Sequence, residues 1–117
     1  MERPESFAQR RDRENEVVLD AATLPMKRFF ALDHDMYENG ALPAKTKELL
    51  GLAASTVLRC NDCISYHVKE ALEHGATREE ITECLAVALV VGGSITIPHL
   101  RHAFAFLEEL AAGEGGT

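Results

Sequence analysis

Thr77-Arg78-Glu79-Glu80-Ile81-Thr82-Glu83-Cys84-Leu85-Ala86-Val87-Ala88-Leu89-Val90-Val91 is the stretch whose reading decides the architecture. Thr77, with Glu80 three residues on, forms a capping box, in which each residue's side chain satisfies the other's backbone N–H at a helix start. The box launches a helix in which every residue from Cys84 to Val91 is apolar. A helix apolar all round has no solvent face and must be buried all round. A chain of 117 residues buries too little surface to enclose one of its own helices completely. This helix is therefore expected at a subunit contact.

Working outward, helix formers dominate and no segment alternates as a half-buried strand does, so the fold class is all-α, a single domain of about six helices. The first helix is expected from Pro4, a favourable first-turn residue, to about Asp20. A second, from about Leu24 to Tyr37, offers Met26, Phe29, Phe30 and Met36 as apolar contacts before Asn39-Gly40 breaks it. Leu42-Pro43 opens a third, with Leu49, Leu50, Ala53, Val57 and Leu58 as its apolar stripe. A fourth runs from Cys60 or Asn61 to Gly75, with His74 in its last turn and the glycine at C′. The last, roughly Ile97 to Ala111, places Leu100, Ala103, Phe104, Leu107 and Leu110 on one face. Gly113 to Thr117 reads as a frayed tail. No repeat or linker divides residues 1–117, although residues 1–41 carry the looser pattern.

Apolar residues make up 46% and charged residues 26%, a globular composition. A net charge of −7 repels nucleic-acid backbones and anionic membranes and disfavours both as partners. The N-terminal MERPESFAQRRDRENE has no apolar core of a signal peptide, and the longest uncharged run, Cys84 to Pro98, is too short to span a bilayer. The expected location is the cytoplasm. Three cysteines there do not read as a disulfide framework. A closely spaced pair in a reducing compartment is redox-active or metal-binding more often than structural.

Arg59-Cys60-Asn61-Asp62-Cys63-Ile64-Ser65-Tyr66-His67 holds such a pair. On a helix Cys63 and His67 stand at i and i+4, one turn apart on one face. Cys60 lies at the helix N-terminus, where unsatisfied N–H groups and the macrodipole favour a thiolate. The thiolate is the nucleophile, and a free cysteine with a pKa of ~8.5 is mostly protonated at neutral pH. A neighbouring base and a helix N-terminus both address that deficit; a lowering by two units corresponds to roughly 2.7 kcal/mol. Glu48 lies twelve residues before Cys60. On one straight helix the two would be about 18 Å apart and unable to cooperate. If the chain turns near Arg59, His67 comes back toward Glu48 and the carboxylate can orient the imidazole that serves the thiols. His67 one turn away favours Cys63 as the thiol served directly. Cys60, nearer the helix end, is expected to be the more exposed and could instead meet a partner first. The order of attack stays open.

Other readings compete. Cys60, Cys63 and His67 could donate three ligands to zinc, with Glu48 or Cys84 as a fourth, although structural zinc sites usually draw on two separate knuckles and only one is visible. Cys84, on an apolar helix, reads as an inert buried thiol. His99 and His102 flank the start of the last helix as surface or capping residues, and His34 and His74 carry no pattern. Tyr66 reads as packing, with a hydroxyl that could reach the site.

The pattern Glu48-x11-Cys60-x2-Cys63-x3-His67 resembles the signature of the alkylhydroperoxidase D-like branch of the carboxymuconolactone decarboxylase family. The flanking Leu42-Pro43-Ala44-Lys45-Thr46-Lys47-Glu48-Leu49 and His74-Gly75-Ala76-Thr77-Arg78-Glu79-Glu80-Ile81 agree, and the resemblance covers roughly Leu42 to Leu110. It implies an all-helical fold assembling as trimers or hexamers, and an enzyme of peroxidase or disulfide-reductase type that needs no cofactor. It also implies that Glu48 and His67 form a proton relay to Cys60 and Cys63. The implied substrates are a peroxide or an oxidised protein disulfide, with a thiol protein as reductant. Two features depart from the best-studied peroxidases: Asp62 stands where they carry a histidine before the second cysteine, and they are built from two related halves. The decarboxylases that name the family lack the cysteine pair, which leaves decarboxylation as the weaker alternative.

Overall fold

Proline and glycine punctuate the helices much as their chemistry requires. In the computed structural model, which describes residues 2–115, α1 spans Pro4–Ala21, α2 Leu24–Met36, α3 Ala44–Val57, α4 Asn61–Glu73, α5 Arg78–Gly92 and α6 Ile97–Gly115, with a 3-10 turn at Ser94–Thr96. The described residues contain no strand. Prolines occupy the first turns of α1 and α2, where an absent N–H leaves no bond unmade. The capping box of α5 forms as expected: Glu80 N donates to Thr77 Oγ1 at 3.1 Å and Thr77 N to Glu80 Oε1 at 2.8 Å. Gly75 follows α4 at φ 91°, the left-handed C′ position that glycine fills without a Cβ penalty.

The link between α3 and α4 is tighter. Arg59 has φ 62° and is the one non-glycine residue with positive φ among those described. Around it Arg59 N donates to Thr56 O at 3.1 Å and Cys60 N to Ser55 O at 3.0 Å. This reverses the chain, and α4 packs back along α3. The core lies between them and α5 and α6: Leu52, Ile64, Val68, Ile81, Leu85, Ala103, Phe106 and Leu107 are essentially inaccessible. Phe7 of α1 closes one end, its ring meeting Phe106 edge-on at 5.6 Å, an arrangement the ring quadrupoles favour.

Several expected faces shift. Leu50 and Leu58, assigned to the α3 stripe, are exposed, and α3 instead buries Glu48, Leu52, Ser55 and Thr56. The two most deeply buried polar residues of that face have partners: Glu48 pairs with His67, and Thr56 Oγ1 donates to Leu52 O at 2.8 Å. On α6 Phe106 is buried in place of Phe104, and the helix continues through Gly115 where a tail was expected; Gly116 and Thr117 lie outside the described residues. Within the single chain α5 is not buried all round. Leu85 and Ala88 face the core, while Val87, Val90 and Val91 are exposed. On α2, Met26, Phe29, Phe30 and Met36 make no core contacts and no residue of the helix is buried. No described helix is long and apolar enough to cross a membrane.

The turn at Arg59 sets the α3–α4 pairing, and substitutions there should rank by their tolerance of left-handed backbone. Arg59→Gly is expected to leave stability within about 1 kcal/mol of wild type, because relief of strain offsets added freedom in the unfolded chain. Arg59→Val is expected to destabilise by roughly 1–2 kcal/mol. Urea denaturation checks the order.

Candidate active site

Glu48 projects from the buried side of α3 and His67 from α4, only 1% and 8% exposed. His67 Nδ1 donates to Glu48 Oε1 at 2.8 Å. A carboxylate this deep would be costly without a partner, so the pairing is the condition on which Glu48 can be buried. With Nδ1 committed, Nε2 is the ring nitrogen left to serve neighbouring chemistry. Gly51, one turn along α3 from Glu48, explains how the imidazole fits. A Cβ there would lie 2.6–2.9 Å from three atoms of the His67 ring. Sequence reasoning passed over Gly51, although a glycine inside a helix costs about 1 kcal/mol against alanine and calls for a packing reason.

Cys60 and Cys63 are joined by a disulfide with Cα atoms 5.3 Å apart. Cys60 is the N-cap of α4, and its sulfur accepts from Cys63 N at 3.3 Å. A helix N-terminus thus points N–H groups and its positive dipole end at the sulfurs, the setting that favours a thiolate after reduction. The expectation about exposure is reversed: Cys63 is exposed and Cys60 only half so. The reason is the cap itself, which turns the Cys60 sulfur back over the first turn while Cys63 projects outward.

Cys63 and His67 line one cleft of about 320 Å³, closed on one side by Phe7, Arg10 and Arg11 of α1 and on the other by Asp33 of α2 and Tyr37, the residue that ends it. The Tyr37 and Tyr66 rings lie 5.4 and 5.2 Å from the His67 ring, so the imidazole is held between two aromatics. Burial, with lesser contributions from Glu70 and Glu48, pushes the Tyr66 phenol up to about 12. Tyr37 is raised too, by burial and the charges of Asp33 and Glu48. Both remain protonated hydrogen-bond donors at neutral pH. The guanidinium of Arg11 lies 4.0 Å over the Tyr66 ring. Tyr66 therefore packs on the imidazole from inside the site. Tyr37 carried no pattern that singled it out.

Asp62, at the position of the departure noted above, points toward α1. Arg10 Nη2 donates to its Oδ1 at 3.1 Å, and the same guanidinium binds Glu2 and Glu14. Those carboxylates hold the Arg10 pKa above its ordinary value. On the opposite side α6 grips the same helix start: His99 Nδ1 donates to Asn61 Oδ1 at 2.8 Å, and His102 Nε2 lies 2.7 Å from Ser65 Oγ. Burial lowers the pKa of His102. His99, expected at the surface or as a cap, makes an exposed bond to the first residue of α4, and the part-buried His102 adds a second hold on that helix. His74 Nδ1 donates to Glu70 O at 2.8 Å, and His34 lies exposed beside Asp35 and Glu38. Cys84 stays a free thiol that donates to Leu49 O at 3.1 Å, and burial pushes it up to about 11. The zinc reading finds no ligand set: among the described residues no three His, Cys, Asp or Glu side chains are placed to hold a metal ion.

A model of the carboxymuconolactone decarboxylase family matches residues 25–109. The chain belongs to this family. The match begins on α2, earlier than the flanking motifs indicated. A protein of Thermotoga maritima with a solved structure is 57% identical, covering 95% of this chain and 97% of that one, with a TM-score of 0.92. An uncharacterised protein of Cupriavidus necator is 37% identical over 75 residues, 64% of this chain and 66% of that relative. The alkyl hydroperoxide reductase AhpD of Mycobacteroides abscessus is 41% identical over 46 residues, which are 39% of this chain and 26% of that enzyme. The family likeness thus covers most of the chain, and the likeness to the reductase is confined to a short segment.

Two outcomes test this geometry. With its thiol at about 11, Cys84 is thiolate to the extent of only about one part in ten thousand at neutral pH. Brief alkylation of reduced protein should label Cys60 and Cys63 and spare Cys84, as peptide mapping would reveal. In oxidised protein the map should show Cys60 joined to Cys63. Gly51→Ala should forfeit the ~1 kcal/mol gain expected of alanine in a helix and destabilise by roughly 1–3 kcal/mol. Thermal melts measure that loss.

Proposed function

We propose that this protein is a thiol-dependent oxidoreductase that reduces hydroperoxides or disulfides at Cys60–Cys63, with Glu48 and His67 as its proton relay. The observation that carries the reading is the convergence of an exposed Cys63 and a carboxylate-held His67 on one cleft beside a helix N-terminus. Family membership supports it, as does the local likeness to AhpD. The Thermotoga maritima relative, described with a possible part in an antioxidative response, supports an antioxidant role.

In the reduced enzyme His67 Nε2 takes the Cys63 proton, and the charge on Glu48 stabilises the resulting imidazolium. The Cys63 thiolate attacks the terminal peroxide oxygen; the S–O bond forms, the O–O bond breaks, and the leaving alkoxide takes the proton from His67 to depart as alcohol. Cys60 then attacks the sulfenic sulfur. The S–S bond forms, and the hydroxyl leaves with the Cys60 proton as water. A dithiol reductant restores both thiols by exchange, becoming a disulfide itself. Cys63 is the more accessible sulfur for that exchange, and cytoplasmic thiol proteins are the class of partner that fits. The chain works on this reading without cofactor.

The test is iodoacetamide reactivity against pH together with peroxide consumption driven by a dithiol. His67→Ala should raise the apparent pKa of the reactive cysteine, and Glu48→Gln should do so more weakly, because it keeps the shape and removes only the charge. Each should slow turnover within the ~10²–10⁴-fold range of general acid–base catalysis, with the double variant far from additive. An unchanged thiol pKa in a folded His67→Ala protein ends the relay assignment.

A further inference from the structure

Arg11 stands at the redox cleft with no carboxylate paired to it among the described residues. It is part-buried on α1, one turn after the anchor Phe7, and its side chain lines the cleft. Its neighbour Arg10 is saturated, with Glu2, Glu14 and Asp62 all within 3.1 Å of that guanidinium. The Arg11 guanidinium instead rests 4.0 Å over the Tyr66 ring, which lies 5.2 Å from the His67 ring. A positive charge is thus held two ring layers from the imidazole. In a chain with 19 acidic residues against 12 lysines and arginines, an unpaired guanidinium beside the reacting groups runs against composition. Stacking on Tyr66 occupies the face of the guanidinium and leaves its N–H edge open. That edge is a planar fork that meets a carboxylate in two parallel hydrogen bonds. The acids around the cleft leave it available: Arg10 engages Glu14 and Asp62, and Asp33 stands on the opposite wall.

We infer that Arg11 selects substrates bearing a carboxylate, and that the cleft takes an organic hydroperoxide with an apolar body and one such group. The guanidinium holds the carboxylate, the Tyr37 and Tyr66 rings flank the apolar body, and the peroxide reaches Cys63 beside His67. A cleft of about 320 Å³ lies at the small end of ligand pockets and admits one substituted aromatic ring. Asp33, on the far wall, disfavours a second negative charge. The family model matches residues 25–109, so α1 and its arginine lie outside the family likeness. The inference rests on the redox reading of the cleft, and its test separates the two.

Two pairs of reagents, each differing in a single carboxylate, test it. Cumene hydroperoxide and its para-carboxylate are compared as substrates by kcat/KM, with a dithiol as reductant. Iodoacetanilide and 4-(iodoacetamido)benzoate are compared as alkylators of reduced Cys63, read by peptide mapping, which needs no turnover. All rates are normalised to those of a free thiol. In wild type at low ionic strength the carboxylate member of each pair should react about tenfold faster, the scale of one charge-assisted hydrogen bond. Arg11→Gln should bring both ratios close to one. Arg11→Lys should keep part of each, as a point charge without the fork, and Asp33→Asn should widen them. Because each ratio is taken within one protein, a merely structural role of Arg11 slows both members alike and leaves the ratio in place. If Arg11→Gln does not fold by circular dichroism, Arg11→Lys and Asp33→Asn decide. Wild-type ratios near one overturn the inference, as does a preference that persists in folded Arg11→Gln or stays unchanged in both other variants. Consumption of neither hydroperoxide counts against the redox reading, while the alkylation ratio still judges Arg11.

Discussion

The hydrogen bond from His67 Nδ1 to Glu48 Oε1 is the constraint around which the rest of the structure is arranged. A carboxylate on the buried face of a helix is tolerable only with a partner of complementary charge or hydrogen bonding, and the partner here is nineteen residues away in sequence. Bringing it back requires a tight reversal between α3 and α4, which the chain achieves with left-handed backbone at Arg59. It also requires α3 to present no side chain where the imidazole lands, which is the role of Gly51. The turn, the glycine and the acid–imidazole pair are three parts of one solution.

The same arrangement places α4 so that its first turn is held from two sides. Arg10 of α1 draws Asp62 away from the sulfurs and balances it with Glu2 and Glu14. His99 and His102 of α6 fasten Asn61 and Ser65. The proposed redox role requires this helix end to keep its geometry while the S–S bond opens and closes, since thiol reactivity depends on the N–H groups and the base staying in place. Exposed ion pairs add little stability; the contribution of these contacts is to orientation.

Three cysteines in one small domain end in two chemical classes for reasons of environment. Cys60 and Cys63 sit at a helix N-terminus beside a cleft. Cys84 sits in apolar surroundings that disfavour its charged form, with its S–H given to a backbone carbonyl. The aromatic pair around His67 extends the contrast: Tyr66 and Tyr37 shield the imidazole, and burial keeps their phenols protonated.

The sequence by itself determined the all-helical class, the helix starts at Pro4 and Thr77, the cysteine pair and its histidine one turn on, because each of these depends on contacts within a few residues. Even the reversal at Arg59 was legible as a condition for Glu48 to matter. Which faces turn inward was decided only by the tertiary structure. Glu48 and Thr56 occupy a buried face where the apolar spacing placed Leu50 and Leu58, since a polar residue may be buried once a partner meets it: for Thr56 a carbonyl of its own helix, for Glu48 a histidine that only the packing of another helix brings near. The same reason hid Tyr37, Gly51 and the α6 histidines, whose roles exist only where another helix passes. The apolar runs of α2 and α5 told of burial but not of by what; within one chain, geometry left both facing outward.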